Sequence, residues 1–301
     1  MNQIISYSSL IPHPSALCFM TPENKLHSGR IRQQFIETVS APEESLDLAR
    51  AALLIAAEEN PRLVVDQYLD QLNALGNEVR ERLQSANGNS VEVLNRFLFD
   101  EHCFVGNRRD YYDPRNSFLN EVLTRRKGIP ITLSLVYMEV ARRAGLKAEG
   151  IGFPGHFIVR TFSSDGSHAL IDTFNCCPLD RDGCQGLLDN LYGGSVSLKD
   201  EHLRPSSKRE ILTRMLTNLK AVYTRNNMHR KALAASDRIL LINPKDIDEH
   251  RDRGALLTHL ERYQEAIEET ETYLRLAPNA PDTEQVREYL SLIKREQAMK
   301  N

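Results

Sequence analysis

Apolar residues fall at Leu46, Leu48, Ala49, Ala52, Leu53, Ala56 and Ala57, the spacing of one buried helix face, in a stretch that starts after Pro42 and stops near Pro61. A second helix is predicted over 64–84. The polar string SANGNS at 85–90 reads as a loop, and Val91, Leu94, Phe97 and Leu98 then resume helical spacing. In DYYDPRNSFLNEVLTRRKG, Asp113 is the expected N-cap, Pro114 the first helical residue and Gly128 the stop, with Arg125, Arg126 and Lys127 placed to complement the helix dipole. Pro130 forces Ile129 out of helical geometry and opens a further helix to about Ala144, closed by Gly145. Residues 1–40 show little periodicity, and Pro12, Pro14 and Pro22 limit any helix there.

The period then changes. KAEGIGF, HFIVRTF and HALIDTF alternate, and the last two are joined by SSDGS, which predicts a β-hairpin and is the only clear sheet signal. Even-numbered residues of the paired strands share a face, so His156 and Asp172 lie opposite each other or one diagonal apart, according to register. Residues 176–205 read as loops with a short helix near 187–191. Beyond them, a shift of 34 positions aligns Ala221 with Ala255, Ala232 with Ala266, Leu240 with Leu274 and Pro244 with Pro278. This internal repeat predicts helix pairs at 208–225 with 229–242 and 247–259 with 263–276, capped by 282–297.

Length and composition agree with a globular chain. At 301 residues and 41% hydrophobic it supports one large domain or two ordinary ones. The formal net charge of −3 offers no basic face, so nucleic acid is not an expected partner. No run of about eighteen apolar residues predicts a membrane span. The N-terminal stretch lacks the basic start of a secretory signal, so a cytoplasmic protein is expected. Five cysteines, with Cys176 and Cys177 adjacent, form no disulfide framework and read as free thiols. His102, Cys103, Cys176, Cys177 and Cys184 lack ligand spacing, so neither a metal nor another cofactor is expected.

A helix start that carries a thiol, a neighbouring strand with a histidine and a further strand with an aspartate make a nucleophilic triad. Here His156 and Asp172 are present and the nucleophile is not. That order of elements resembles the transglutaminase-like core. The stretch DYYDPRNSFLNEVLTRRKGIPITLSLVYMEVARRAGL, followed by GFPGHFIVR and LIDTF, resembles the SirB1 family, which joins a degenerate transglutaminase-like domain to tetratricopeptide repeats; the resemblance spans about residues 40–290. It implies an α+β fold: an unclear segment at 1–40, a mainly helical transglutaminase-like domain with a small antiparallel sheet at 41–200, and an all-α repeat array at 206–298.

In active relatives of the wider superfamily a cysteine follows a glycine by two residues and starts the long helix. The corresponding position here is Pro130, between Ile129 and Ile131. Thr132 and Ser134 are the nearest hydroxyls, but an alkoxide is far harder to generate than a thiolate, and first-turn hydroxyls usually serve the helix backbone. Cys176 and Cys177 follow Asp172 and read as ordinary cysteines unless one lies against His156. Arg115, beside Asn116 in DPRNS, either binds a carboxylate or phosphate or ties loops together. The expectation is a non-catalytic scaffold, regulator or chaperone whose repeats hold a protein or peptide. Arg115, Asn116, Thr132, Ser134, His156 and Asp172 then form a ligand pocket or framework. The alternative is an amide hydrolase or acyl transferase with a displaced nucleophile.

Overall fold

The computed structural model describes residues 22–85, 89–163 and 166–300. Pro12, Pro14 and Cys18 lie outside the described residues. Contacts separate two compact units, one ending at Met215 and the other beginning at Leu216. Among the described residues the chain is mostly helical with small sheets, which is the α+β class expected.

In the first unit the helices are α1 (Pro22–Ser40), α2 (Leu48–Glu59), α3 (Val65–Ser85), α4 (Ser90–Asn95), α5 (Leu119–Arg125), α6 (Pro130–Ala144) and α7 (Arg181–Tyr192). The strands are β1 (Val105–Gly106), β2 (Lys127–Gly128), β3 (Ala148–Ile151), β4 (Ile158–Phe162), β5 (His168–Asp172) and β6 (Cys177–Leu179). Strands β3 to β6 form one antiparallel sheet in chain order, and β1 pairs with β2 in parallel. Helix α6 is the centre of the unit, buried at every residue from Pro130 to Ala141. It packs between α3 and strands β3 and β4, which is why ITLSLVYMEVA shows no polar face. Gly76 sets the approach of α3: a Cβ there would lie 2.2 Å from Cβ of Arg143.

Several elements differ from the sequence expectation. Pro22 does not prevent a helix but opens α1, since proline is tolerated in a first turn. The stretch after Asp113 is not one helix closed by Gly128. Asp113 does cap a turn, with Oδ1 accepting from the Arg115 amide at 2.9 Å, but that turn is 3₁₀ and ends at Ser117. The chain extends at Phe118 (φ −98°, ψ 121°) before α5 begins. The cause is Asn116, whose carbonyl accepts from Thr132 Oγ1 at 2.7 Å and thus leaves the helical ladder. Arg126, not Gly128, takes the left-handed stop (φ 59°), with its guanidinium 4.5 Å above the Phe104 ring. Gly128 lies in β2, where a Cβ would meet Thr132 Oγ1 at 2.8 Å. Residues 176–205 carry β6 and the full helix α7 in place of a short helix, because Asp180 Oδ1 accepts from the Gly183 amide at 2.7 Å and starts the helix early.

The remaining helices are α8 (Lys208–Arg225), α9 (His229–Ile242), α10 (Ile247–His259), α11 (Tyr263–Leu276) and α12 (Thr283–Lys300). In the second unit Gly254 of α10 permits close packing on α11: a Cβ there would meet Thr270 Oγ1 at 2.7 Å and the Ala266 carbonyl at 3.4 Å. Lys220 occupies the equivalent place one repeat earlier and is itself buried. Its amine reaches across to α10, donating to Glu249 Oε2 at 2.7 Å and Asp252 Oδ2 at 2.9 Å. The His229 and His259 rings stack in parallel, with centroids 4.3 Å apart.

Two stability predictions follow from these contacts. Lys220→Ala strands the buried Glu249 carboxylate and should cost about 3–5 kcal/mol, whereas Lys220→Met combined with Glu249→Met should recover most of the loss; urea unfolding of the three variants measures both. Burial first, and then the His229 ring, push His259 down to about 4. Since its ordinary value is 6.5, the folded state favours the neutral ring. Its contribution is therefore complete above the ordinary value and lost as pH falls from 6.5 through about 4. The urea midpoint should drop across that window less steeply in His259→Gln than in the wild type.

Candidate functional site

The start of α6 meets the end of β5 and the turn that leads into β4. Pro130 stands at the first position of α6, where the missing N–H costs no helical bond. Thr132 Oγ1 accepts from the Ile129 amide at 3.2 Å and donates to the Asn116 carbonyl at 2.7 Å. Ser134 Oγ is 2.9 Å from Thr173 Oγ1, which donates to the Pro130 carbonyl at 3.4 Å. Thr132, Ser134 and Thr173 are fully buried, and each hydroxyl is committed to these framework bonds.

His156 enters from the turn FPGH. Its amide donates to the Phe153 carbonyl at 3.0 Å, and Gly155 adopts φ +66°, where a Cβ would also strike Leu191. The β4–β5 register pairs Val159 with Ile171, which sets His156 one diagonal from Asp172. His156 Nε2 lies 2.9 Å from Asp172 Oδ2, although the ring leaves its proton off the direct line to that oxygen. Asp172 is fully buried. Its Oδ1 accepts from the amides of Phe174 and Asn175, each at 3.0 Å, and its Oδ2 from Asn175 Nδ2 at 2.6 Å. Burial alone would raise this carboxyl, but the His156 ring and the Asn175 donors outweigh it and hold the group below the usual carboxylate range.

Other predicted residues are placed elsewhere or differently used. Arg115 grips Asp113 through Nε at 3.0 Å and Nη2 at 2.8 Å, is exposed, and shares no bond with the dyad. It edges a separate depression of about 170 Å³ together with Glu59, Phe118, Asn120 and Glu121. Asn116 donates to the Asp110 and Tyr111 carbonyls at 2.7 and 3.2 Å and accepts from Asn107 at 3.0 Å, so it fastens the 107–111 loop. Cys176 Sγ donates to the Phe104 carbonyl at 3.4 Å. Burial, and then the Asp172 carboxylate, push its thiol up to about 11; the same two causes raise Cys177. No hydroxyl or thiol among the described residues hydrogen-bonds the His156 ring.

Comparison with known proteins identifies the two parts of the chain. A model of the transglutaminase-like superfamily matches residues 66–217, and a tetratricopeptide-repeat model matches 219–291. A UPF0162 protein of Xylella fastidiosa is 36% identical over 254 residues, covering 82% of this chain and 90% of that protein. Protein SirB1 of Salmonella typhimurium is 27% identical over 237 residues, covering 79% and 88%. The chain belongs to the SirB1 family. A 93-residue stretch is also 41% identical to the F-box only protein 21 of Mus musculus, covering 31% of this chain and 15% of that protein. No solved structure matches. Among the described residues of this SirB1-family chain no helix is long and apolar enough to cross a membrane.

Sequence reasoning missed three supports of the dyad. Asn175 follows Asp172 by three residues, an Asx-type loop signal that was legible. Arg214, whose Nη2 donates to the His156 carbonyl at 2.7 Å and whose two Nη atoms donate to the Phe153 carbonyl at 3.2 Å, was absorbed into the repeat pattern. Thr173 gave no signal, because its partner Ser134 is 39 residues away. Asp172→Ala should leave two amides and the Asn175 side chain unpaired and cost about 2–4 kcal/mol, while Asp172→Asn, which keeps an acceptor, should cost about half as much; thermal melts at neutral pH compare them.

Proposed function

We propose that this chain is a cytoplasmic, non-catalytic member of its family, a scaffold, regulator or chaperone that binds another protein. The observation that carries the reading is the first turn of α6. The position at which active relatives present a thiol is Pro130, and the hydroxyls beside it at Thr132 and Ser134 are buried and spent on backbone and loop bonds. Cys176 is held in the thiol form, the wrong state for a nucleophile. A base and its orienter remain, and without a nucleophile they serve as framework: the pair ties the FPGH turn to the end of β5. The tetratricopeptide-repeat unit supports the binding half of the reading, since stacked helix pairs build extended surfaces suited to peptides.

The test is labelling of the full chain with acyl- and thiol-reactive probes at neutral pH, mapped by mass spectrometry in wild type, His156→Ala and Pro130→Cys. The expected result is labelling of wild type that is absent or confined to cysteines indifferent to His156. Pro130→Cys should likewise gain no fast-reacting thiol, because the first turn of α6 is buried. Stoichiometric wild-type labelling of Thr132, Ser134, Cys176 or Cys177 that disappears in His156→Ala would instead establish a hydrolase or acyl transferase with a displaced nucleophile.

A further inference from the structure

The segment RRDYY carries charge and aromatic surface that neither the core nor the dyad explains. Arg108 and Arg109 are exposed, and neither has a carboxylate partner among the described residues. Tyr111 and Tyr112 are 39% and 52% exposed. The rings form a continuous ledge that ends at the dyad. Tyr112 meets Tyr111 edge-on at 5.4 Å, Tyr111 meets Phe174 at 5.9 Å, and Phe174 meets His156 at 6.3 Å. The Arg108 guanidinium stands 5.7 Å over the Phe174 ring and donates to Asn175 Oδ1. Asn175 in turn donates to Asp172 Oδ2 at 2.6 Å, beside His156 Nε2. A chain of polar contacts thus runs from an exposed arginine to the buried carboxylate.

We infer that this ledge docks a segment of a partner protein in which a carboxylate stands next to an aromatic residue. The inference rests on the protein-binding reading above and names the partner's chemistry. The Arg108 guanidinium on the ledge, with no carboxylate partner among the described residues, complements an acid, with the exposed Arg109 next to it in sequence, and a planar fork suits a carboxylate better than an ammonium would. Exposed tyrosines supply rigid apolar area with a polar tip, the composition of binding hot spots. A nucleic-acid strand fits less well, because Asp110 and Asp113 interrupt the basic run and the chain's net charge is −3. Docking also has a consequence at the dyad. A carboxylate that recruits Arg108 competes with Asn175 Oδ1 and loosens the amide that holds Asp172.

The experiment is selection of random heptapeptides on the full chain, followed by titration of the selected peptides with the His156 ring observed by NMR. Peptides carrying Asp or Glu beside Phe, Tyr or Trp are expected. They should bind about tenfold more weakly to Arg108→Gln/Arg109→Gln and to Tyr111→Ser/Tyr112→Ser, and should shift the His156 resonances. All four positions are exposed, so both variants should stay folded at the titration temperature, with at most a modest loss in melting temperature, and circular dichroism checks this. Selection without an acidic preference, equal binding by the arginine variant, or displacement of the peptides by a ten-nucleotide oligothymidylate would overturn the inference. Acidic peptides that bind as expected and are then cleaved or covalently captured in a His156-dependent way would support the ledge and overturn the non-catalytic reading instead.

Discussion

Helix α6 is buried at every residue from Pro130 to Ala141, so the backbone groups that its first turn leaves open need partners from the protein itself. Everything around the site is arranged to meet that requirement. Proline at position 130 removes one donor, Thr132 caps the Ile129 amide, the Asn116 carbonyl takes the Thr132 proton, and Thr173 answers the Pro130 carbonyl. Each partner brings its own segment: Asn116 fixes the 107–111 loop, and Thr173 fixes the end of β5 and with it Asp172. A nucleophile in this turn needs a free, solvent-reachable heteroatom. The turn is instead sealed by its own satisfaction, with the His156–Asp172 pair beside it.

The second unit meets a similar constraint by two routes. At Gly254 two helices approach closely because no side chain intervenes, with Thr270 in contact. At Lys220, one repeat earlier, a long cationic side chain fills the place and is neutralised by Glu249 and Asp252 from the next helix pair. Burial opposes the charge of both partners. It works against the ammonium of Lys220, whose two acids still raise it, and it raises Glu249 in spite of the amine. A buried ion pair of this kind often contributes register more than net stability, because desolvation offsets much of its attraction.

The repeat helices were legible almost residue by residue because a 34-residue period states the same pattern twice and each helix contacts near neighbours. The segment after Asp113 was not, although its start and stop signals were complete. Its local preferences describe one helix, and a single long-range bond from Thr132 to the Asn116 carbonyl divides it. Strand pairing was half legible: the turn sequence identified the hairpin, alternation left two registers, and β6 was hidden by its brevity and its proline. The His156–Asp172 pair was readable from alternation alone, whereas Arg214 was not, because one side chain cannot be recognised as belonging to another unit while its helix reads as a repeat.

The loop after β5 holds the carboxylate of the dyad largely by itself. Asp172 accepts three donors from its own chain, so its charge is stabilised before His156 contributes. That bonding bends the backbone at Thr173 to Cys176, gives Cys176 a positive φ of 58°, and presents Phe174 to Tyr111 and His156. Removing the carboxylate would release the loop, and removing the imidazole would leave a buried negative charge with only amides around it. The pair is thus held in place by the cost of burying the carboxylate without its partners. The same bonds set the aromatic ledge at the surface, so the geometry that holds the pair is also the geometry that positions Phe174 beside Tyr111.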